Sequence, residues 1–361
     1  MASKPFNVGI IGYGAATKVF HIPLIEVTPE LSLYAIVQRH PTPENDASKA
    51  IPGIKSYRAT EEMVKDDSVD IVVITTTPPT HFELAKLALE NGKHVLVEKP
   101  FVPTSREADG LIALAKHHHK LLTVYQNRRF DTDFITIQSL LQNNTLGRIV
   151  EFESHFDRYK PSTATSKPWK TIIQPGGGAI YDLGSHLIDQ IVVLFGLPQK
   201  ITAFLGSQRS ENPGGYDDSC TVLMHYADGM VATIKVAVVS PEVEQLRFWV
   251  RGERGSYKKY HEDPQEEHLT SGTRTGDPGF GIEPEDRFGT LTTALNSTLT
   301  SAPCPTLHPT ADTTYQAIYT QFAAAVAGKG DVAVKAEEAR DVIRLIELAK
   351  RSSDEGKTVD V

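Results

Sequence analysis

An ammonium group, and an imidazole with a nearby carboxylate, are the side chains of this sequence best suited to acid–base chemistry on a hydroxyl group. Lys99 stands in Val97-Glu98-Lys99-Pro100, directly after a short apolar run. A lysine there can hydrogen-bond a substrate hydroxyl and stabilise the alkoxide that develops as the alcohol is oxidised. Asp182 and His186 are four residues apart in a helical pattern and so share one face. A carboxylate that orients an imidazole is the usual arrangement of a general acid or base.

Each pattern also has an ordinary structural explanation. Glu-Lys-Pro is more often a surface turn, and an Asp/His pair at this spacing is more often a contact on a helix surface. Three glycines, Gly176 to Gly178, precede the helix and permit close approach to a ligand, which favours the functional interpretation. The helix itself is indicated by an apolar face of Leu183, Leu187, Ile191 and Leu194.

Short apolar runs in the first third of the chain are typical of strands buried on both faces of a parallel sheet. They are Phe6 to Ile11, Leu31 to Val37, Ile71 to Ile74, His94 to Val97 and Leu121 to Val124. Between them, capping boxes at Thr80–Glu83 and Thr104–Glu107 predict helix starts, and Asn91-Gly92 predicts a helix end. The alternation predicts a doubly wound α/β domain. Lys99 follows one of these strands and is therefore expected to face the ligand crevice.

Gly12-Tyr13-Gly14-Ala15-Ala16-Thr17 lies between the first strand and a helix and resembles a dinucleotide-binding turn. Gly12 permits the tight turn, Gly14 lets the backbone approach a pyrophosphate, and the helix N-terminus offers free amides. Thr17 stands where glycine or alanine is usual, and we expect it to loosen helix–strand packing slightly. A plain turn is the alternative, but the strand–turn–helix context favours nucleotide binding.

The end of the second strand bears on which dinucleotide is bound. Val37-Gln38-Arg39-His40 has no carboxylate to accept from a ribose 2′-hydroxyl, whereas Arg39 can fork onto a 2′-phosphate. The alternative is a solvated surface arginine. We therefore expect NADP rather than NAD.

From about residue 149 the apolar period changes to that of strands. Val150, Phe152 and Phe156 alternate with polar residues, and Asp228-Gly229 joins two further alternating runs as a hairpin. We predict a Rossmann domain over residues 1–128 and, over 129–361, an α+β domain with a large, mostly antiparallel, open-faced sheet. Pro264 to Pro309, rich in Gly, Pro, Ser and Thr, is expected to be a loop near the substrate or a surface connection.

Bulk properties exclude some classes of protein. A net charge of −8 over 361 residues argues against a general nucleic-acid binder. Cys220 and Cys304 have neither metal-ligand spacing nor a disulfide framework, and there is no signal pattern or membrane-length apolar run, so a cytosolic protein without a membrane partner is expected. His117-His118-His119 points in several directions on a helix, so no metal is expected there.

Four motifs in this order resemble the glucose–fructose oxidoreductase, inositol dehydrogenase and rhizopine-catabolism (Gfo/Idh/MocA) family over nearly the whole chain. They are Gly12-x-Gly14, Thr75-Thr76-Thr77-Pro78 before His81, Glu98-Lys99-Pro100 and Asp182-x-x-x-His186. Within the family the chain is most similar to NADP-dependent scyllo-inositol dehydrogenase-like members. The supporting stretches are Phe20-His21-x-Pro23-Leu24, Tyr125 to Asp131, Arg158-Tyr159-Lys160-Pro161 and Tyr181 to His186.

The resemblance implies roles for individual residues. Lys99 would contact the reacting hydroxyl, and His186 would accept its proton with Asp182 tuning the ring. Arg158 and Tyr159 would join this trio in binding substrate. The cofactor would be lined by Gly12, Tyr13, Gly14, Ala15, Ala16, Gln38, Arg39, Thr76, Thr77, Pro78, His81, Glu98, Lys99, Asn127, Trp169 and Tyr315. In the family a Trp-Arg pair often contacts the cofactor, and here the pair is Trp169-Lys170.

The resemblance also implies an activity and an assembly. We expect an NADP(H)-dependent oxidoreductase that interconverts a secondary alcohol and a ketone, or an aldose and a lactone, on a cyclitol or sugar-like substrate. We expect it to form a homodimer or homotetramer through the open sheet face. Alternatives are a keto-sugar or dicarbonyl reductase, for example of 1,5-anhydrofructose, an aldose dehydrogenase, and a non-catalytic nucleotide sensor. A sensor has no need of Lys99, Asp182 and His186 together.

Overall fold

The computed structural model describes residues 4–164 and 168–361, and the chain divides into two compact units. The first unit holds the residues up to Asn127 together with Gln265–Phe280 and Thr310–Arg340. The second unit holds Arg128–Pro264, Gly281–Pro309 and Asp341–Val361. Two later segments thus belong to the first unit, whereas the sequence suggested two uninterrupted domains.

The first unit contains the predicted parallel sheet. Its strands are β1 (Phe6–Ile11), β2 (Leu31–Val37), β3 (Lys55–Tyr57), β4 (Ile71–Ile74), β5 (His94–Val97) and β6 (Leu122–Val124). All neighbours are parallel in the order β3-β2-β1-β4-β5-β6. The order reverses between β1 and β4, and in such a sheet ligands bind outside the carboxyl ends of the strands at that point. The short β3 was not predicted, because three residues give no detectable period.

Helices connect and cover the strands of both units. They are α1 (Ile22–Glu26), α2 (Ala47–Ala50), α3 (Thr60–Val64), α4 (His81–Glu90), α5 (Ser105–His117), α6 (Thr132–Gln142), α7 (Ser185–Phe195), α8 (Gln265–Ser271), α9 (Gln316–Val326) and α10 (Ala336–Glu355). The predicted capping box at Thr104 is confirmed, because Glu107 N donates to Thr104 Oγ1 and Thr104 N donates to Glu107 Oε2. The predicted end of α4 at Asn91 and Gly92 is also confirmed.

The second unit contains the predicted open-faced sheet. Its strands are β7 (Ile149–Asp157), β8 (Lys200–Gly206), β9 (Ser219–His225), β10 (Val231–Ala237), β11 (Leu246–Gly252), β12 (Gly255–Tyr260), β13 (Gly289–Leu295), β14 (Thr298–Cys304) and β15 (Val359–Asp360). Their order is β14-β13-β12-β11-β7-β10-β9-β8-β15, and every neighbouring pair is antiparallel except β7 with β10.

One face of this second sheet packs on helix α7. The Phe152 ring lies 5.9 Å from that of Phe248 on the next strand and 5.4 Å from that of Phe195 on the helix. Complete burial of such a side chain stabilises the fold by about 1.5–3 kcal/mol. The opposite face carries polar residues such as Glu153 and His155, and Phe204 on it is 65% exposed. This alternation is the one that the sequence predicted.

The segment from Pro264 to Pro309 is not the loop that its composition suggested. It contains α8 and the hairpin of β13 and β14, which adds two strands to one edge of the sheet. Asn296 and Ser297 both have positive φ, as a two-residue hairpin turn requires. Leu295 and Leu299 are largely exposed, so the strands lack the apolar period that reveals a buried strand.

Hydrogen bonds join the two later segments of the first unit to each other and to its amino-terminal part. Tyr315 N donates to Gln265 Oε1, Gln316 Nε2 donates to Val27 O, and Thr123 Oγ1 donates to Val334 O. Among the described residues, no helix is both long and apolar enough to cross a membrane.

Candidate active site

The fingerprint turn after β1 depends on its glycines. Gly12 has a φ of +110°, and a Cβ there would approach Thr75 Oγ1 to 2.7 Å, so a larger residue would be strained and crowded. No heavy atom lies within 4 Å of the Cβ position of Gly14, which leaves the backbone open on that side. No side chain caps the π-helical turn Thr17–His21 that follows. An open turn and an uncapped helix start fit the diphosphate of a dinucleotide.

Thr17 does not loosen the packing, which corrects our expectation. Its side chain is fully buried, and Oγ1 lies 3.1 Å from Gly12 O and 2.7 Å from Thr75 Oγ1. Thr75 Oγ1 also bonds Ile11 O. The hydroxyl that distinguishes threonine from the usual glycine or alanine thus ties the turn to the end of β4.

The end of β2 presents two guanidinium groups rather than one. Arg39 is exposed, as a phosphate ligand must be. Arg58, which follows β3, donates from Nη1 to Gln38 O at 3.2 Å and was missed by sequence reasoning because β3 was missed. Gln38 is itself committed to the next loop, where Nε2 donates to Asn45 O and Oε1 accepts from Ala47 N.

The Tyr13 side chain of the turn lies beside two charged groups. Lys18 Nζ is 4.5 Å from the centre of its ring and donates to Asn45 Oδ1. Burial and the charge of Asp46 raise the pKa of Tyr13, so its hydroxyl stays protonated. Asp46 is occupied as the cap of α2, and the hydrogen bond from Ser48 lowers its pKa.

The predicted capping box at Thr80 is wrong. Thr80 Oγ1 bonds Thr77 O at 2.8 Å and Thr76 Oγ1 at 2.7 Å, because a 3₁₀ turn over Pro78–Thr80 precedes α4. These contacts fix the threonines after β4 that were predicted to line the cofactor.

His81 was also predicted to line the cofactor, but its side chain has no exposed surface. It is fully buried, Nδ1 lies 3.0 Å from Pro100 O, and Nε2 lies 3.1 Å from Thr76 O. Burial lowers its pKa despite these carbonyls. We assign it the role of holding the segments after β4 and β5 together. Tyr315, also predicted to line the cofactor, is likewise fully buried and offers no surface to a ligand.

Lys99 follows β5 in a half-buried position with a fixed backbone. Its N–H donates to Glu98 Oε2 at 2.9 Å, and a cis peptide bond joins it to Pro100. Glu98 N donates to Ile74 O, so the hydrogen bonds between β4 and β5 continue one residue beyond the end of β5. Asn127, at the end of the first unit's continuous segment, is almost fully buried.

In the second unit the last residue of the glycine-rich segment packs against protein on its Cβ side, and the approach of the segment to a ligand stays a prediction. Gly178 has a φ of +92°, and a Cβ there would overlap the Asp217 carboxylate. Asp217 O accepts from Ala179 N and Oδ2 accepts from Ile180 N. Burial raises the pKa of Asp217.

The predicted Asp182 and His186 occupy a π-helical turn over Ile180–Gly184 and the first turn of α7. Asp182 Oδ2 lies 2.5 Å from Lys170 Nζ, an ion pair that sequence reasoning did not assign. His186 is almost fully buried. The side chain of Trp169 lies outside the described part of the chain.

Further polar residues of α7 hold the segment after Asn127. Asp189 accepts two hydrogen bonds from Arg129, at 2.7 and 2.8 Å; the Asp189 side chain is buried and that of Arg129 is 10% exposed. Gln190 Nε2 donates to Arg128 O at 2.8 Å. Paired, buried, charge-assisted contacts of this kind fix the helix that carries His186.

The end of β7 carries the two predicted substrate residues. The Arg158 guanidinium lies 4.5 Å from the centre of the Phe156 ring, with Nε 3.8 Å from Glu262 Oε1. Arg128 Nη2 lies 3.3 Å from the same carboxylate. Tyr159 is mostly exposed. Donors and acceptors are therefore dense here, as binding of several hydroxyl groups requires.

The part of the chain that the structure describes contains no group of three or more His, Cys, Asp or Glu side chains arranged to hold a metal ion. His117 ends α5 and His118 caps it, so the histidine run stands at a helix C-terminus. Lys99 and the cofactor-lining candidates other than Trp169 belong to the first unit, whereas Trp169, Asp182, His186, Arg158 and Tyr159 belong to the second.

Two family profiles together match most of the chain. The profile for the NAD-binding Rossmann fold of the Gfo/Idh/MocA oxidoreductases matches residues 6–126. The profile for the C-terminal alpha/beta domain of the same family matches residues 138–361.

Individual relatives cover the chain almost completely. An uncharacterized oxidoreductase of Schizosaccharomyces pombe, C115.03, is 37% identical over 99% of this chain and 100% of its own length. The scyllo-inositol 2-dehydrogenase (NADP(+)) IolW of Bacillus subtilis is 32% identical over 98% of this chain and 95% of its own. Among solved structures, the putative oxidoreductase yvaA from Bacillus subtilis superposes with a TM-score of 0.92 at 30% identity, covering 100% and 99% of the two chains.

Proposed function

Because this chain belongs to the Gfo/Idh/MocA oxidoreductase family, we propose that it is an NADP(H)-dependent enzyme that interconverts a secondary alcohol and a ketone on a cyclitol or sugar-like substrate. The observation that carries the proposal is the fixed backbone of Lys99 after β5, in a unit that also has an open fingerprint turn. Interconversion of an aldose and a lactone uses the same chemistry.

The cofactor is held by the first unit. The fingerprint turn and the following helix N-terminus bind the diphosphate. Arg39 and Arg58 bind the 2′-phosphate, which replaces the hydroxyl that an acidic residue would recognise. The Bacillus subtilis relative IolW is named as an NADP(+) enzyme, which supports the same preference here.

The chemistry is a hydride transfer coupled to a proton transfer. A nicotinamide bound to the first unit would take up hydride in oxidation and supply it in reduction. Lys99 hydrogen-bonds the substrate oxygen and stabilises its developing negative charge. His186 accepts the hydroxyl proton, and Asp182 adjusts the charge near the ring while paired with Lys170.

The substrate class follows from the donors and acceptors of the second unit. Arg158 and Tyr159 at the end of β7 suit a ligand with several hydroxyl groups. One relative is named for scyllo-inositol, so a cyclitol is the first substrate to test. A keto-sugar or dicarbonyl reductase is the enzyme alternative.

The test is a spectrophotometric screen at 340 nm. scyllo-Inositol, myo-inositol and aldoses are offered with NADP+ or NAD+, and 1,5-anhydrofructose with NADPH. We expect oxidation of a cyclitol with NADP+ well above that with NAD+. Turnover confined to 1,5-anhydrofructose would favour the reductase. Tight NADPH binding without turnover of any compound would favour a sensor.

We also propose that two copies associate through the uncovered face of the second sheet. A large aromatic, Phe204, is exposed there on the same face as polar residues of β7 and β10. A second copy would cover this surface with an identical one, as two-fold interfaces do.

A further inference from the structure

Three side chains from distant parts of the first unit form a hydrogen-bonded chain next to Lys99. Glu98 Oε1 lies 2.8 Å from His21 Nε2, and His21 Nδ1 lies 2.6 Å from the Tyr319 hydroxyl. The other carboxylate oxygen, Glu98 Oε2, accepts from Lys99 N. His21 and Tyr319 are fully buried, and Glu98 is nearly so.

The donors and acceptors of this chain match. A carboxylate oxygen only accepts, so His21 donates through Nε2. The Tyr319 hydroxyl both donates and accepts, so it satisfies Nδ1 in either protonation state of the ring. Each Glu98 oxygen therefore has one N–H donor, and the carboxylate is held at both ends.

Each member of the chain comes from a different element. His21 ends the π-helical turn that follows the fingerprint, Glu98 follows β5, and Tyr319 lies in α9. The Tyr125 ring packs 4.6 Å from the ring of His21 and closes the cluster. The helix at the proposed diphosphate site and the segment of Lys99 thus share one buried link.

We propose that His21 and Tyr319 are positioning residues for Lys99. They hold the Glu98 carboxylate, which in turn holds the Lys99 amide, and so they link the cofactor-binding helix to the catalytic lysine. This inference rests on the role that the proposed function gives to Lys99.

The charge state of Glu98 agrees with this role. Burial raises its pKa, but the hydrogen bond and charge of His21, together with Lys99, outweigh burial, and the pKa lies below its ordinary value. The titratable groups that face Glu98 are Lys99 on its own segment and His21, His81, Tyr125 and Tyr319 on others.

Removal of the His21 donor should therefore give Glu98 a higher pKa. A carboxyl group with a lowered pKa stays charged until the pH is low. The contribution of the charged form is lost as the pH falls through that pKa. In a variant without the donor, the same loss occurs at higher pH. The acidic limb of kcat should move upward with it.

The experiment compares His21→Met, His21→Gln and Tyr319→Phe in the full-length protein. Glutamine keeps a donor near the position of Nε2, whereas methionine fills the space without one. Turnover of scyllo-inositol with NADP+ is measured from about pH 4 to 9, a range that covers the titration of a carboxyl group, and NADPH affinity is measured by fluorescence.

His21→Met should lower kcat by roughly 10-fold or more, because a catalytic group displaced by a fraction of an ångström reacts slowly. NADPH affinity should change by less than about twofold, and the acidic limb should rise by about one pH unit. His21→Gln should restore most of the kcat and return the limb toward wild type. Tyr319→Phe should fall between these two variants.

His94→Asn is the matched control, because it lies at the other end of β5 and keeps an acceptor for Leu121 N. It should behave as wild type. A folded His21→Met variant with unchanged kcat and pH profile would overturn the inference, while Lys99→Met decides the proposed function separately.

A second readout needs no substrate. ¹⁵N NMR of labelled histidine in the free protein at pH 8 should show His21 protonated at Nε2, with a slowly exchanging proton that Glu98→Ala releases to fast exchange. An unprotonated Nε2 would overturn the inference even if no polyol is oxidised.

Discussion

Lys99 is flanked by two contacts that fix the chain on either side of it. Its own N–H is bound by Glu98, and the carbonyl of Pro100 faces the buried ring of His81. Neither contact involves the ammonium group. Substitution of the Lys99 side chain therefore removes neither of these two backbone contacts.

Lys99→Met should reduce kcat by about 100- to 1,000-fold, the usual cost of one lost donor to a developing oxyanion. NADPH affinity should remain within a few-fold of wild type, because the diphosphate and 2′-phosphate contacts are intact. Steady-state kinetics and fluorescence titration measure the two quantities. Unchanged turnover would remove Lys99 from the mechanism.

Arg58→Ala should weaken NADP+ selectively. One charge-assisted hydrogen bond is worth about 1.5–3 kcal/mol, so the KM for NADP+ should rise by about 10-fold or more. kcat/KM with NAD+ should stay the same, because NAD+ has no 2′-phosphate. Arg344→Ala on α10 is the control. Equal losses with both cofactors would contradict a role in 2′-phosphate recognition.

At the scale of elements, strands with a clear apolar pattern were predictable from the sequence, whereas local hydrogen bonds were not. The bounds of β1, β2, β4 and β5 follow from runs of apolar residues, which sheet burial demands. The predicted capping box at Thr80 is absent because a 3₁₀ turn begins at the prolines before it. The Thr80 hydroxyl donates to the carbonyl of Thr77 in this turn and does not cap α4.

The candidate site was predictable where a motif has a fixed chemical purpose. Gly12, Gly14 and Lys99 are such positions. The sequence did not predict the roles that we propose for His21, Tyr319 and Arg58. The partners of His21 and Tyr319 lie far away in sequence, and Arg58 follows a strand too short to detect. The packing of Gly178 could not be predicted, since only the fold reveals that its neighbour is Asp217.

The turn before α7 can be tested through that glycine. Gly178→Ala should destabilise the protein by about 2–4 kcal/mol, because a positive φ and an overlap with the Asp217 carboxylate act together. Gly214→Ala is the matched control, since Gly214 also has a positive φ but nothing within 4 Å of its Cβ position. It should cost only about 1 kcal/mol. Urea unfolding measures both, and equal values would show that the overlap is unimportant.

At the scale of the whole molecule, the uncovered sheet face predicts self-association. Light scattering should give about twice the chain mass of 39.7 kDa, or a higher even multiple. Phe204→Glu should shift the protein toward the monomer, because it replaces the exposed aromatic ring of that face with a charge. Leu197→Glu, after the end of α7, adds the same charge elsewhere and should leave the mass unchanged. A monomeric wild-type protein would exclude the proposed assembly.

The return of residues 265–280 and 310–340 to the first unit has a consequence for how this protein can be dissected or recombined. A fragment cut after Asn127 would carry every fingerprint glycine yet leave His21 Nδ1 without its partner, the Tyr319 hydroxyl. If the amino-terminal third of this chain replaced that of a relative, the α9 of the relative would pack against a helix from a different protein. Grafts should therefore succeed only when the amino-terminal third and α9 are transferred together, because the fingerprint helix is bound to a tyrosine 298 residues downstream of His21.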